Sequence, residues 1–356
     1  MNAVNLDDMA SIQRIDPGGM GRHIAEFPGQ CREAMGLVRS GGVPEEYGLA
    51  DSIVILGLGG SAIGGDLVRA LVEYECRVPM LINRDYRLPA FVNDHTLIIA
   101  SSYSGNTEEV LSALREALER EAMCMAITTG GELARLFQRE GLPLITFEYD
   151  SQPRAALGYS FTTLFALLQE LGFVGDGSGR LEEAVEALVP LGSRVGVEVP
   201  EVENPAKQMA RRLEGRLPVI YGAGHLSEVA RRWKCQFNEN SKGWAFWEVL
   251  PELNHNAVAG YEFPDSVARN VHVLLLASEL YLPRHRARME VTSEILGQKG
   301  ISHESVQVMG GSTIAELLWA IHLGDYVSYY LALLRGVDPS PVDSIAYLKE
   351  RLAQIP

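Results

Sequence analysis

Short apolar runs rich in β-branched residues alternate with helical patterns, and this alternation limits the possible folds more than any other feature. The runs "SIVILGLG" (52–59) and "HTLIIAS" (95–101) flank the helical pattern "GGDLVRALVEY" (64–74). Strands that alternate with helices in this way form parallel sheets with helices on both faces. The sequence therefore predicts an α/β fold.

The two halves of the chain resemble each other. "VILGLGGSAIGGDL" (54–67) and "VIYGAGHLSEVARR" (219–232) both predict a strand, a Gly-x-Gly turn and a helix, and "LIIASSYSG" (97–105) has a counterpart in "VLLLASELY" (273–281). We interpret this as the duplication of one α/β domain. The hydroxyl-rich loop occurs only in the first half, which predicts one site per chain or one shared between chains.

These patterns divide the chain into five consecutive segments. We predict an N-terminal helical segment (1–40), a first domain (41–152), connecting helices with a linker (153–200), a second domain (201–330) and a C-terminal helix (331–356). The N-terminal helix is expected to break at Pro28, because proline disrupts a helix interior. "VGDGSGR" (174–180) is typical of a turn or linker.

Composition excludes several classes of protein. The chain has 356 residues, enough for two domains, and its formal charge of −15 argues against nucleic-acid and membrane-surface binding. The N-terminus lacks the basic and apolar regions of a signal peptide. The cysteines are far apart and form no CxxC pair, which predicts reduced core residues of a cytoplasmic protein: Cys31, Cys76, Cys124 and Cys235.

A glycine-rich turn, "GLGGSAIGGD" (57–66), follows the first predicted strand. It departs from the dinucleotide-binding fingerprint, because Ala62 replaces the third glycine and no acidic residue follows at the usual distance. It departs from the P-loop because no lysine follows Gly65. Two interpretations remain open: a tight turn without a ligand, or a loop in which the glycines and Ser61 approach a small ligand.

The loop "SSYSGNTEE" (101–109) follows another predicted strand and begins a helix. Its hydroxyls and the N–H groups of the helix N-terminus can bind an anion without any cation, which suits a phosphomonoester in so acidic a chain. Asn106 is expected to cap the helix, with Glu109 completing a capping box. The alternative is a well-capped helix whose serines only solvate a turn. We favour phosphate binding, because ligands of open α/β sheets lie at the carboxyl ends of strands.

Further motifs follow in order: "QPRAALGYSF" (152–161), "NENSK" (238–242) and "ELNHNAVAGY" (252–261). With them the chain resembles sugar isomerase (SIS) domain proteins and, more closely, the bifunctional phosphoglucose/phosphomannose isomerase family. The serine-rich loop alone indicates the wider superfamily, whereas "NENSK" followed by "ELNHN" is far more specific. The resemblance covers essentially the whole chain. It implies two tandem SIS domains, each a flavodoxin-like three-layer sandwich, in a homodimer.

The resemblance also implies roles for individual residues. The phosphate of a sugar 6-phosphate would be held by Gly60, Ser61, Ser102, Ser104 and Thr107. Glu239 would be the catalytic base, and Arg154 would lie near the reacting carbons. His255 would open the sugar ring from the neighbouring subunit, and Lys349 would contact the ring oxygen or the substrate hydroxyls.

The residue types suit an aldose–ketose isomerase that uses no metal and no cofactor. A carboxylate can move a proton between C2 and C1, an imidazole can exchange protons near neutral pH, and an arginine can stabilise a cis-enediolate. No spacing of His, Cys and carboxylates predicts a metal site. Together with the cysteine pattern, the resemblance implies a cytoplasmic enzyme of glycolysis or gluconeogenesis that interconverts glucose 6-phosphate, fructose 6-phosphate and mannose 6-phosphate.

Two alternatives remain. A non-catalytic sugar-phosphate sensor would have the same serine loop but no need for Glu239 and His255. An aminating isomerase would need a glutamine-hydrolysing domain, for which the sequence has no N-terminal catalytic cysteine.

Three weaker features concern specificity and surfaces. In the family, a threonine near a "DPxP" segment is associated with mannose 6-phosphate, and Ser340 in "DPSP" (338–341) corresponds to it here. A serine is at least as small, which leaves both activities open. "RHRARM" (284–289) is interpreted as a solvated basic face, and "WAFWE" (244–248) as a hydrophobic interface segment.

Overall fold

The structure is a computed structural model that describes residues 4–40, 42–175 and 178–355. In the first half, one sheet is formed by β1 (Ser52–Leu56), β2 (Met80–Asn83), β3 (Thr96–Ser101), β4 (Met123–Thr128) and β5 (Leu144–Thr146). The strand order is β2-β1-β3-β4-β5, and every neighbouring pair is parallel.

Helices cover both faces of this sheet. The helices up to residue 170 are α1 (Met9–Ile15), α2 (Met20–Ala25), α3 (Phe27–Ser40), α4 (Gly59–Val72), α5 (Glu108–Glu119), α6 (Gly131–Glu140) and α7 (Leu157–Glu170). Ile53 and Ile55 of β1 share a core with α3, α4 and α7, whereas Val54 and Leu56 pack with α5 and α6. Because successive strand residues point to opposite faces, the continuous apolar run fills both cores.

The second half has the same architecture, a parallel sheet flanked by helices, but its sheet has four strands. Its strands are β6 (Leu217–Ala223), β7 (Phe246–Leu250), β8 (Val271–Ala277) and β9 (Ser302–Gln307), in the parallel order β7-β6-β8-β9. Its helices are α8 (Ser178–Glu186), α9 (Leu188–Val195), α10 (Pro205–Leu213), α11 (Ser227–Glu239), α12 (Asp265–Ala268), α13 (Pro283–Gln298), α14 (Thr313–Leu334) and α15 (Asp343–Leu352). The predicted fold, two α/β domains with parallel sheets flanked by helices, is confirmed.

Two local predictions need correction. The N-terminal helices do not break at Pro28, because α2 ends at Ala25 and Pro28 is the second residue of α3. Proline is tolerated in a first turn, where the N–H that it lacks would have no helical partner. Most of "WAFWE" belongs to β7, an edge strand that the sequence did not predict. Trp244 and Phe246 are exposed there, and the interface interpretation stays a prediction.

Helix α14 forms the centre of the second half. It is long and apolar enough to cross a membrane by length and composition, with a mean hydropathy of 1.2, but 94% of that window is buried inside the protein. It packs against α10 and α11 and runs past residue 330, the predicted limit of the second domain, to Leu334. Such burial is typical of the core helix of a folded domain.

Both sheets lie within the predicted domain limits, 41–152 and 201–330. The limits themselves remain predictions, and the predicted linker at 174–180 falls partly on residues outside the described ones. The cysteines are free: Cys31 and Cys124 are buried, and Cys76 and Cys235 are half-buried.

Candidate active site

The predicted phosphate loop lies where the first sheet changes direction. Strands β1 and β3 are neighbours, and the helices that follow them, α4 and α5, pack on opposite faces of the sheet. Ligands of open α/β sheets bind at such a switch point. Gly60 and Ser61 lie in the first turn of α4, and the serine loop follows Ser101 at the end of β3. Both candidate loops therefore reach the same edge of the sheet.

Hydrogen bonds fix the hydroxyls of this edge. Ser61 Oγ accepts a hydrogen bond from the Tyr103 N–H at 3.0 Å, and Ser102 Oγ lies 2.9 Å from Thr107 Oγ1. Ser104 Oγ accepts the N–H two residues further on at 3.3 Å. Thr107 is the N-cap of α5 and makes no side-chain capping bond. The first-turn N–H groups of α5, with the helix dipole, therefore suit an anion bound beside these hydroxyls.

Asn106 does not cap α5, contrary to the prediction, and no capping box with Glu109 forms. Its Oδ1 instead accepts the Glu132 N–H at 3.0 Å, in the first turn of α6. The cause is the close approach of two loops, since a Cβ on Gly105 would lie 1.8 Å from the Gly130 carbonyl oxygen. Gly105 has a φ of +65°, which glycine adopts readily. The serine loop is thus bound to the loop that precedes α6.

Gly60, in the first turn of α4, packs directly against the backbone of Pro153 and Arg154. A Cβ on Gly60 would lie 2.8 Å from both the Arg154 backbone nitrogen and the Pro153 carbonyl carbon. The short 3₁₀ helix Pro153–Ala156 therefore packs directly on the first turn of α4. Glycine at this position sets how closely the arginine approaches the phosphate loop.

Arg154 forms an ion pair with Glu239 although the two are far apart in sequence. Arg154 is 2% exposed, and its Nη1 lies 3.5 Å from Glu239 Oε2 at the end of α11. Burial lowers the pKa of the Arg154 guanidinium from its usual value, and the Glu239 carboxylate opposes that change. An arginine remains charged at such a site. The site thus holds a cation beside a carboxylate, 26% of whose side chain is exposed.

The "DPSP" segment meets the same guanidinium. Arg154 Nη2 donates to the carbonyl oxygens of Pro339 at 2.5 Å and Ser340 at 2.8 Å. Ser340 Oγ is buried without a hydrogen-bond partner among the described residues. It lies against Gly18, where a Cβ would be 2.5 Å away. Ser340 is therefore adjacent to the Arg154–Glu239 pair, in a confined space.

His255 lies at the end of the 3₁₀ helix Glu252–His255, which follows β7. The asparagines beside it are held: Asn254 Nδ2 donates to Thr292 Oγ1 at 2.9 Å, and Asn256 Nδ2 to Glu252 Oε1 at 2.9 Å. The imidazole itself is exposed and makes no hydrogen bond with any residue in the described ranges. A polar loop thus presents this ring to the outside of the chain.

Lys349 lies on α15, whose side chains are all exposed. No hydrogen bond or ion pair joins Lys349 to Glu239 or Arg154 in the part of the chain that is described. One chain thus brings together the phosphate loop, Arg154, Glu239 and Ser340, but neither His255 nor Lys349. The described residues contain no group of three or more His, Cys, Asp or Glu that could hold a metal ion.

Comparison with known proteins places this arrangement in a family. Residues 202–352 match the bacterial phospho-glucose isomerase C-terminal SIS domain. A bifunctional phosphoglucose/phosphomannose isomerase of Caldicellulosiruptor bescii is 42% identical over 93% of this chain and 98% of its own length. One of Thermoplasma acidophilum is 37% identical over 93% of this chain and 99% of its own. The chain belongs to the bifunctional phosphoglucose/phosphomannose isomerase family.

Solved structures agree with the family's fold. A tagatose-6-phosphate ketose/aldose isomerase of Escherichia coli superposes with a TM-score of 0.70 at 15% identity, over 92% of this chain and 96% of that one. Identity this low shows a common fold alone. The resemblance that the motifs predicted is therefore confirmed for the family and for its paired SIS domains, whereas the role of each site residue stays a prediction.

Sequence reasoning missed the residues that hold Arg154 in place. Asn240, fully buried, accepts from Arg154 Nε at 2.8 Å and donates to Ser328 Oγ at 3.0 Å. Arg232 Nη2 donates to the Arg154 carbonyl oxygen at 2.9 Å and is paired with the buried Asp325 carboxylate at 2.9 Å. The available signal was the second asparagine of "NENSK", directly after Glu239. Asn240 therefore links the end of α11, directly after Glu239, to the Arg154 guanidinium.

Lys242 was also missed. Its φ of +52° turns the chain back after α11, and its Nζ donates to the Glu239 carbonyl oxygen at 2.5 Å. Nζ also lies 3.3 Å from the Pro339 carbonyl oxygen. Desolvation and the positive charge of Arg154 lower the pKa of Lys242. Lys242 thus ties the end of α11 to the "DPSP" segment.

The matching edge of the second sheet holds a buried carboxylate. Glu316 Oε2, in the first turn of α14, lies 2.7 Å from His225 Nε2 and accepts from Ser278 Oγ at 2.5 Å. His225 follows β6 and Ser278 follows β8, so Glu316 lies at the switch point of this sheet. This edge of the isomerase-family chain is therefore occupied by its own side chains, and the single phosphate loop stays a prediction.

Replacing Gly60 with alanine should impair catalysis without unfolding the protein. The new Cβ would meet backbone atoms of Pro153 and Arg154, so the arginine must shift. Because a displacement of about 1 Å can cost roughly 100-fold in rate, we expect kcat to fall by about 10- to 100-fold. The control is Gly36→Ala on the exposed face of α3, where nothing lies within 4 Å. Unchanged kcat in a folded Gly60→Ala protein would contradict this role.

Proposed function

We propose that the chain is an aldose–ketose isomerase that interconverts glucose 6-phosphate and fructose 6-phosphate, and also mannose 6-phosphate and fructose 6-phosphate. The ion pair of Glu239 and the buried Arg154, beside the phosphate loop, carries this proposal. The names of the family's curated relatives support it. A carboxylate beside a fixed cation is what proton transfer through an enediolate requires.

Each part of the proposed site contributes to one step of the isomerisation. The hydroxyls and helix N-termini of the phosphate loop hold the sugar phosphate at one end. After ring opening, the Glu239 carboxylate takes the proton from C2 of the aldose, and negative charge develops on the enediolate oxygens. The Arg154 guanidinium stabilises that charge, the hydroxyl proton passes from O2 to O1, and Glu239 returns the carbon proton to C1 to give the ketose. Asn240 and Arg232 keep the guanidinium in place meanwhile.

The same chemistry accommodates mannose 6-phosphate. Removing the proton from C2 destroys the stereocentre, so glucose 6-phosphate and mannose 6-phosphate give the same enediolate. The site must then accept both arrangements of the C2 substituents. Ser340, whose carbonyl oxygen accepts from Arg154, is the residue that the family resemblance associates with this extension.

We infer that the working protein is a cytoplasmic homodimer in which His255 acts in the partner's site. The exposed imidazole, presented by a hydrogen-bonded loop, supports this. The exposed helix α15, which carries Lys349, supports contact with a second chain or with substrate. The reaction belongs to glycolysis or gluconeogenesis.

A sugar-phosphate sensor remains the second candidate. The phosphate loop would serve a sensor equally well. A sensor has no use for Glu239 beside a buried cation, so the ion pair favours the enzyme.

The proposal is tested by assaying glucose 6-phosphate and mannose 6-phosphate side by side for conversion to fructose 6-phosphate. The purified protein should convert both, and a chelator should leave both rates unchanged. Binding of fructose 6-phosphate without any turnover would instead identify a sensor. Turnover that chelator abolishes would overturn the metal-free mechanism.

Mixing two inactive variants should restore activity if the site is shared. In a mixture of Glu239→Gln and His255→Asn proteins, each mixed dimer has one intact site and one doubly altered site. With free subunit exchange, half of the dimers are mixed, so we expect about one quarter of wild-type activity. Mass spectrometry of the exchanged dimers is the control. No recovery despite exchange would show that His255 acts within its own chain or not at all.

A further inference from the structure

A cleft lies between α13 and the loop that carries His255. Its volume is about 330 Å³, and its walls are formed by Asn254, Val258, Arg284, Ala287, Arg288, Val291, Thr292 and Ile295. None of these residues is acidic. The aliphatic side chains make an apolar wall, and two arginines provide positive charge. The volume is within the range that small-molecule sites occupy.

The arginines of "RHRARM" (284–289) lie on two different sides of α13. Arg286 Nη1 is paired with Glu279 Oε2 at 3.1 Å, away from the cleft. Arg284 and Arg288 line the cleft one helical turn apart. Arg288 Nη1 donates only to the neutral Asn254 Oδ1, at 3.2 Å, and Arg284 has no hydrogen bond or ion pair among the residues that the structure covers. Arg284 is exposed, as a solvated basic face requires, whereas Arg286 and Arg288 are half-buried.

Arg284 and Arg288 line one cleft without a carboxylate partner among the described residues, although carboxylates are numerous in this chain. It has 46 acidic residues against 31 lysines and arginines, so carboxylates are abundant. Two guanidiniums on one helix face repel each other, and an anion that bridges them relieves that repulsion. Guanidinium groups bind phosphate oxygens in pairs, with good geometric match.

We propose that this cleft binds a nucleoside monophosphate, whose planar base packs against the aliphatic wall. The phosphate bridges Arg284 and Arg288, and the base lies on Val258, Val291 and Ile295. Asn254 and Thr292 bond to each other at 2.9 Å, so the walls suit a phosphate that carries a planar base better than a sugar phosphate without one. The site is distinct from the serine loop of the first domain.

Binding there would act on the proposed ring-opening residue. Arg288 holds Asn254, the neighbour of His255, and a phosphate competes for the same guanidinium. The loop that carries His255 would then lose the hydrogen bond between Arg288 and Asn254. Binding itself does not depend on the proposed isomerase activity.

The test is calorimetric titration of the full chain with adenosine 5′-monophosphate (AMP). We expect saturable binding of one AMP per chain, and a Kd about tenfold higher in both Arg284→Met and Arg288→Met. The matched control, Arg286→Met on the same helix, should stay within about twofold of the wild type. Ribose 5-phosphate, which lacks the base, should bind about tenfold more weakly than AMP.

Three results would overturn the proposal. The first is no saturable binding at millimolar AMP, and the second is a Kd that neither methionine variant changes. The third is loss of binding in Ser102→Ala with retention in Arg288→Met, since AMP would then occupy the serine loop. A chain that binds AMP as expected but isomerises no sugar phosphate would overturn only the proposed function.

Discussion

Glu239→Gln should lower kcat for glucose 6-phosphate about 1,000-fold and leave KM nearly unchanged. Glutamine keeps the size of the side chain and its place beside Arg154, but it cannot accept a proton from carbon. The phosphate loop and the Arg154 guanidinium remain, so substrate still binds. Steady-state kinetics with both aldose phosphates checks this, and both rates should fall together because they share the enediolate.

The control for this variant is Glu182→Gln, an exposed position on α8, which should keep wild-type kinetics. A near wild-type kcat in the Glu239→Gln protein would show that Glu239 is not the catalytic base. A large rise in KM with unchanged kcat would assign the carboxylate to binding.

Arg154→Lys should reduce kcat by about 100- to 1,000-fold, although the positive charge is kept. The guanidinium makes separate bonds to Asn240, Pro339 and Ser340 while it faces Glu239. An ammonium group cannot make this set of directed bonds from one position. The cation should therefore move, and the enediolate should lose its fixed partner.

Arg335→Lys is the matched control for this second variant. Arg335 is also partly buried and donates to the Ser241 carbonyl oxygen at 2.8 Å, but it does not contact Glu239. It should change stability more than kcat. Similar losses of kcat in both variants, with similar losses of thermal stability, would show that Arg154 acts only through the fold.

The sequence predicted the fold because its signals are local. The apolar run in β1 and the hydroxyls after β3 depend on nearest neighbours, and parallel sheets bring such strand ends to one edge. The duplication could be recognised in the sequence for the same reason, because the same strand and turn pattern occurs in both halves of the chain. The position of the serine loop at the sheet edge therefore follows from local sequence.

The remaining details depend on contacts between distant segments. Asn106 does not cap α5, because the loops that contain Gly105 and Gly130 lie in close contact and its side chain bonds to Glu132 instead. Asn240 holds Arg154 across 86 positions, which no spacing rule describes. The edge strand β7 was missed because its residues, Phe246 to Glu248, are exposed and lack the buried pattern of the other strands.

His255 and Lys349 are both exposed, and neither makes a hydrogen bond or ion pair with Glu239 or Arg154 among the described residues. Their exposure on the NHN loop and on α15 fits residues that complete a site only when a second chain or a substrate is present. The family resemblance assigned them roles that local pattern could not supply.

The most direct test of the central claim is proton exchange at carbon in D₂O. Fructose 6-phosphate incubated with the wild-type protein should acquire deuterium at C1 as it converts to aldose phosphate, followed by NMR. Glu239→Gln should bind the sugar but leave the C1 protons in place. Exchange at the wild-type rate in Glu239→Gln, or binding without exchange or conversion in the wild type, would contradict catalysis by Glu239.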